Sequence, residues 1–227
     1  MASNWPLASR PSSPPTIFLV DDDPSFLSSV ARLCRASGFV VRAFSSAADF
    51  LAQRSPETPG CVVADLKMPG MNGLELQEAL ARSDNPLPVV FLTGQGDIPS
   101  SVKAMRHGAE DFLTKRAPQQ ELLAAVERAL ARDAHDREER TRRRELRGRF
   151  DQLTPREREV LNHVLRGQLN KQIAADLGVA ERSVKRHRTS LMGKLEVQSV
   201  AQLAQLATEA GMAGRLTNVE GRWSRVD

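Results

Sequence analysis

The chain has 227 residues, 41% of them apolar and 26% charged, with a formal net charge of +4. That length suits two ordinary domains, and the composition is that of a globular protein. No run approaches the roughly 18 consecutive apolar residues of a membrane span, and residues 1–15, rich in Ser and Pro without an apolar centre, are expected to form a disordered tail and not a signal peptide.

The two cysteines, Cys34 and Cys61, each lie inside an apolar pattern. They are expected to be reduced core residues, which places the protein in the cytoplasm. Charge divides unevenly, with a net −3 over residues 1–127 and a net +7 over 128–227. An acidic front half can hold a cation and a basic rear half can meet a polyanion, although solvated surface charge accounts for either half as simply.

Along the front half, apolar runs predict strands over 16–20, 39–44, 61–64, 88–92 and 109–113. Helical periodicity predicts helices over 24–37, 46–54, 73–83 and 98–107, and from 119 onward. Pro24 opens the first of these helices, Gly38 closes it, and Gly108 closes the fourth. Strand–helix alternation with short connections implies a parallel sheet covered on both faces, which puts functional groups at the carboxyl ends of the strands.

Residues 119–150 read as one helix leaving the first domain. Its charged stretch from Arg137 to Arg149 has too few apolar positions for a coiled-coil seam and is expected to be a solvated linker. A second domain opens at Thr154, where Thr154, Pro155 and Glu157 form a capping box. A helix ending at Gly167 follows, then helices over 170–177, 181–195 and 199–210, and the short helix, glycine-containing turn and second helix make a helix-turn-helix. The resulting domains are an α/β unit at 16–130, a helical linker at 131–150, a helix-turn-helix unit at 151–211 and a tail at 212–227.

Four strand ends carry chemistry. Asp65 ends an apolar run ahead of Met68-Pro69-Gly70-Met71-Asn72-Gly73, and Asp21, Asp22 and Asp23 end another. Carboxylates gathered this closely repel one another unless a hard divalent cation lies between them. Asp65 is therefore the expected phosphoryl acceptor, since a carboxylate can become an acyl phosphate. Asp21, Asp22 and Asp65, with a backbone carbonyl near Lys67, are the expected magnesium ligands. Asp23, before Pro24, is better read as a helix cap. Thr93 and Lys115 end the fourth and fifth strands, where a hydroxyl and an ammonium can meet a phosphoryl group. Taken singly, an Asp before a turn, a Thr at a strand end and a lone Lys are ordinary surface features. Their convergence on one edge carries the reading.

These residues, with Phe112 and the segment Leu153-Thr154-Pro155-Arg156-Glu157-Arg158-Glu159-Val160-Leu161, resemble response-regulator receiver domains followed by a LuxR-type output domain, the FixJ/NarL-like class. The resemblance runs uninterrupted over about residues 16–207. It implies a doubly wound, five-stranded, flavodoxin-like α/β receiver followed by a small all-α helix-turn-helix domain. The implied partners are a sensor histidine kinase that donates from a phosphohistidine, promoter duplex DNA and RNA polymerase. It further implies that Thr93 and Phe112 form a switch pair, and that the activated protein dimerises. The family usually has Pro after the Lys; here Lys115-Arg116-Ala117-Pro118 stands in its place. The bond before Arg116 is thus expected to be trans, with Lys115 repositioned.

On the helix from Glu181, Val184, Leu191 and Leu195 share an apolar face, with Arg188 beside them, and Arg182, Lys185, Arg186 and Thr189 lie opposite. By comparison with the LuxR-type domain, Lys185, Arg186 and Thr189 are candidates for base contact and Lys171, Arg182 and Lys194 for phosphate contact. His187 can serve a phosphate or the domain edge. No enzymatic turnover is expected. The competing readings are a DNA-binding regulator independent of phosphorylation, a protein-interaction module, and a haloacid-dehalogenase-like phosphohydrolase built on Asp21-Asp22-Asp23-Pro24-Ser25.

Overall fold

The structure, a computed structural model, describes residues 14–94 and 98–212. The expected tails at 1–15 and 212–227 lie almost wholly outside these residues. The described chain falls into two compact units that divide between Arg137 and Glu138.

In the first unit, β1 (Thr16–Val20), β2 (Val40–Phe44), β3 (Gly60–Ala64), β4 (Val89–Thr93) and β5 (Asp111–Thr114) form one parallel sheet in the order β2-β1-β3-β4-β5. The connecting helices are α1 (Pro24–Ala36), α2 (Ala47–Gln53), α3 (Gly73–Ala81), α4 (Ile98–Arg106) and α5 (Gln119–Asp151). Side chains alternate across each strand, so the sheet needs cover on both faces. Ile17, Leu19, Cys61 and Val63 pack with Leu27, Val30 and Cys34 of α1 and Leu122, Val126 and Leu130 of α5. Phe18, Val20, Val62 and Phe91 face the other way, onto Phe50 of α2 and Leu76 and Leu80 of α3. Phe50 anchors that layer, its ring centroid 5.3 Å from Phe18 and 5.4 Å from Phe44. Each such aromatic pair adds about 0.5–1.5 kcal/mol beyond area burial. The strand order reverses at β1, which leads to β2 on one side while β3 lies on the other, and that reversal opens a crevice at the strand ends.

The sequence places the fifth strand two residues early. Gly108, at φ +84°, and Ala109 belong to the turn that closes α4, donating to the carbonyls of Met105 and Ala104. The ladder with β4 therefore begins only at Asp111.

The expected solvated linker is a different object. α5 continues unbroken to Asp151, yet Asp133 is only 2% exposed and accepts a hydrogen bond from Gly60 N at 2.8 Å. Arg137 holds the same carboxylate through Nε at 2.8 Å and donates to the carbonyls of Glu57 and Thr58. The first turns of the charged stretch thus clamp the loop that leads into β3. Gly60 admits no side chain there, because a Cβ would come 1.9 Å from the Thr16 carbonyl oxygen. Further on, Leu146 and Phe150 enter the core of the second unit. Two apolar residues four apart among so many charges give no visible periodicity, which is why the sequence conceals this role.

In the second unit, α6 (Pro155–Leu165), α7 (Asn170–Asp176), α8 (Glu181–Lys194) and α9 (Val200–Glu209) surround Val160, Leu161, Ile173, Val184, Leu191, Leu195 and Leu203. The Thr154–Glu157 capping box forms as its sequence demands, with Glu157 N donating to Thr154 Oγ1 and Thr154 N to Glu157 Oε2. Among the described residues no helix is long and apolar enough to cross a membrane.

Replacing Asp133 with Ala leaves the Gly60 N–H and the Arg137 guanidinium without their buried acceptor. The expected loss is about 3 kcal/mol of unfolding free energy in the first unit, measured by urea titration with amide exchange of β3 as the local probe. An unchanged midpoint would show that the clamp contributes nothing.

Candidate functional site

The ends of β1, β3 and β5 are brought together by the ladder itself. Asp65 N donates to Val20 O at 2.9 Å, Asp21 N to Phe44 O at 3.1 Å and Lys115 N to Thr93 O at 2.8 Å. Each sets the first residue past one strand against its neighbour. Asp21 and Asp65 are buried, at 3% and 7% exposure, while Asp22 is exposed. One oxygen from each of the three carboxylates lies within 4.8 Å of the others, a hard-oxygen set that fits a magnesium ion. Lys67 donates its backbone N–H to Asp65 Oδ1 at 3.3 Å and turns its side chain to solvent. Asp23 caps α1 by accepting from Ser25 N and Phe26 N, as the sequence reading has it.

Lys115 bridges the pocket: its ammonium is 2.6 Å from Asp21 Oδ2 and 2.8 Å from Asp65 Oδ2. Burial pushes the Asp21 carboxyl up, and the hydrogen bond from Lys115 only partly offsets it. Burial alone would lower the Lys115 ammonium, but the two carboxylates together hold it above the ordinary lysine value. The bond before Arg116 is trans, as expected, since the described residues contain no cis peptide. A turn closed by Ala117 N on Thr114 O returns the chain after β5, while the Lys115 backbone stays tied to Thr93.

Thr93 is the last residue of β4 and 1% exposed. Phe112 is partly buried, its centroid 6.0 Å from that of Phe91. Gly73 is needed for close approach: a Cβ there would meet Asp65 O at 2.4 Å and Phe91 Cε1 at 2.8 Å. The start of α3 is thus pressed directly onto the backbone of the proposed acceptor.

In the second unit, α8 buries Val184, Leu191 and Leu195 and exposes Arg182, Lys185, Arg186 and Thr189. Lys171 on α7 is exposed as well. Arg188 donates to Asn170 Oδ1 at 2.8 Å, tying the two helices of the helix-turn-helix. Lys194 remains exposed, and its ammonium also sits 2.7 Å from Glu157 Oε2 and donates to Gln152 O, so it serves the fold as well. Glu157, which the sequence showed only as a cap, also ties helices together. Its second oxygen accepts from Ser190 Oγ at 2.6 Å, so one carboxylate joins the start of α6 to two positions on α8. The signal available was the spacing of Ser190 and Lys194, four apart on one side of α8. Burial would raise the Glu157 carboxyl, but hydrogen bonds from Lys194, Ser190 and Thr154 outweigh it and hold it at about 2.

Residues 17–127 match the model of the response regulator receiver domain, and residues 151–207 that of bacterial regulatory proteins of the luxR family. Nodulation protein W of Bradyrhizobium diazoefficiens is 41% identical over 201 residues, 88% of either chain. Transcriptional regulatory protein FixJ of Azorhizobium caulinodans is 39% identical over 197 residues, 87% of this chain and 93% of that one. Among solved structures, the response regulator StyR aligns with a TM-score of 0.71 at 47% identity, over 87% of this chain and 100% of that one. Full-length FixJ from B. japonicum aligns with a TM-score of 0.52 at 34% identity, over 87% and 98%.

Two outcomes follow from this geometry. Gly73→Ala is expected to cost about 1–3 kcal/mol in the first unit and to shift the Asp65 backbone, read as a lowered melting temperature and displaced β3–α3 amide resonances. For Glu157, the folded carboxyl lies below its unfolded value of 4.5, so its contribution is complete above pH 4.5 and is lost as pH falls toward 2. Amide exchange in α8 is therefore expected to speed up between pH 5 and pH 3 beyond its intrinsic pH dependence, and Glu157→Gln is expected to abolish that excess.

Proposed function

Because the chain belongs to the response regulators that join a receiver to a LuxR-family helix-turn-helix domain, we propose that Asp65 is its phosphoryl acceptor and that α8 is its DNA-reading helix. The protein is a transcriptional regulator of a phosphorelay, with a histidine kinase upstream and DNA downstream. One observation carries the residue assignment: Asp21, Asp22, Asp65 and Lys115 converge on a single pocket at the strand ends.

In the transfer, one Asp65 oxygen forms a bond to phosphorus as the bond from phosphorus to the donor's imidazole nitrogen breaks. The leaving nitrogen keeps the electron pair and takes up a proton. Asp21, Asp22 and Asp65, with the Lys67 carbonyl, would hold magnesium, which supplies positive charge against the phosphoryl oxygens. Lys115 gives up the Asp65 oxygen and pairs with the phosphoryl group that now masks it. Thr93, on the neighbouring strand end, donates its hydroxyl to a phosphoryl oxygen, and the space it vacates admits the Phe112 ring.

The output of this switch is a homodimer formed through α4. The exposure of Val102 and Met105 on that helix, 49% and 48%, supports this reading, since neither has cover in the single chain. A coupling free energy of about 1–3 kcal/mol shifts such an equilibrium by about 5–150-fold. On DNA, Lys185, Arg186 and Thr189 face base edges, while Arg182 and Lys171 meet phosphates.

Acetyl phosphate with magnesium is expected to add one phosphoryl group to the wild-type chain and none to Asp65→Ala, read by intact mass. Duplexes selected from a random pool by the phosphorylated protein are then expected to bind Arg182→Ala more weakly across all sequences, with the salt slope reduced by about 1. A variant Asp65→Ala that labels and binds like wild type would sink the assignment.

A further inference from the structure

We propose that Phe26 is a positioning residue for the phosphoryl chemistry, its ring face holding the Lys115 ammonium over the carboxylate pair. The inference rests on Asp65 being the acceptor. The Lys115 Nζ lies 4.4 Å from the Phe26 ring centroid, well inside cation–π range. Asp21 and Asp65 receive the ammonium on two sides, at 2.6 and 2.8 Å, and the ring closes a third.

The ring is itself held in place. The Asp23 carboxylate accepts from the Phe26 backbone N–H at 3.2 Å, and the partly buried side chain packs on the core between α1 and the sheet. With Leu27 and Val30 it walls a cavity of about 10 Å³ that also touches Asp21 and Asp65. That volume is at the lower limit for one water. On this side the ammonium meets the π face of the ring.

The contact matters because Lys115 must change partners during the reaction. Its flexible four-carbon stem carries about 2 kcal/mol of rotamer entropy, and the segment that follows, Arg116-Ala117, lies in an ordinary trans turn. Once Asp65 carries a phosphoryl group, one of the two carboxylate anchors is altered. The ring is not consumed by the transfer. It keeps the ammonium within the pocket as Lys115 passes from carboxylate to phosphoryl oxygen. The two acidic ligands sit on strand ends, and the third side of the pocket is supplied by the first turn of α1.

The test uses the full-length chain with acetyl phosphate and magnesium, following aspartyl phosphate on a phosphate-affinity gel. Phe26→Leu keeps the apolar volume and removes the π face, and is expected to slow labelling by about three- to tenfold. Phe26→Tyr is expected to restore most of the rate. Phenylalanines carrying one, two or three ring fluorines at position 26 are expected to slow labelling stepwise, because fluorine drains the ring face of negative charge while leaving packing nearly unchanged. The melting temperature reports any loss of fold separately. If the wild type labels and the leucine variant matches it, or the fluorine series is flat, Phe26 has no positioning role. If the wild type takes no label, the Asp65 assignment fails and the role of Phe26 fails with it.

Discussion

The chemistry of the first unit depends on one electrostatic arrangement, two buried carboxylates facing a single ammonium. Asp21 and Asp65 would repel each other strongly if both were charged and alone in a site of low dielectric. Lys115 makes the arrangement tenable before any cation or phosphoryl group arrives. It also makes the pocket responsive, because whatever next takes a share of those oxygens must displace or re-pair the ammonium. Around this centre the fold is arranged for access without looseness. The reversal of strand order at β1 opens the crevice, while Gly73 lets α3 press on the Asp65 backbone from the far side.

A similar economy governs the second unit. Glu157 completes the cap of α6 with one part of its carboxylate and ties α8 through Lys194 and Ser190 with the rest. A helix that reads DNA must present its polar face at a defined angle, and a ridge of three buried aliphatic residues allows some rotation about its own axis. The carboxylate is a directional restraint on that rotation. Arg188 with Asn170 adds a second restraint at the other side of α8. Arg182, Lys185, Arg186 and Thr189 then stay on the exposed side of α8.

The charged part of α5 shows how composition can mislead. From Arg137 to Arg149 it has the look of a solvated connector, yet one end is bound into the first unit through Asp133 and Arg137 and the other into the second core through Leu146 and Phe150. Burial of a few well-placed residues decides the role of a helix, and average hydropathy does not register it. The opposite holds for β1, β3 and β4, whose apolar runs are so continuous that burial on both faces was legible directly.

The amino-acid sequence by itself determined the alternation of strands and helices, the two-unit plan, the Thr154–Glu157 capping box and the carboxylates at strand ends, because each is written in neighbouring residues or in a short period. Only the tertiary structure decided that Lys115 sits between Asp21 and Asp65. It alone decided that Lys194 belongs to Glu157 and that Phe26 faces an ammonium some ninety residues away. These are pairings between groups distant along the chain. They are set by how helices and strands pack, and no local pattern of residues encodes which distant partner a charged or aromatic side chain will meet.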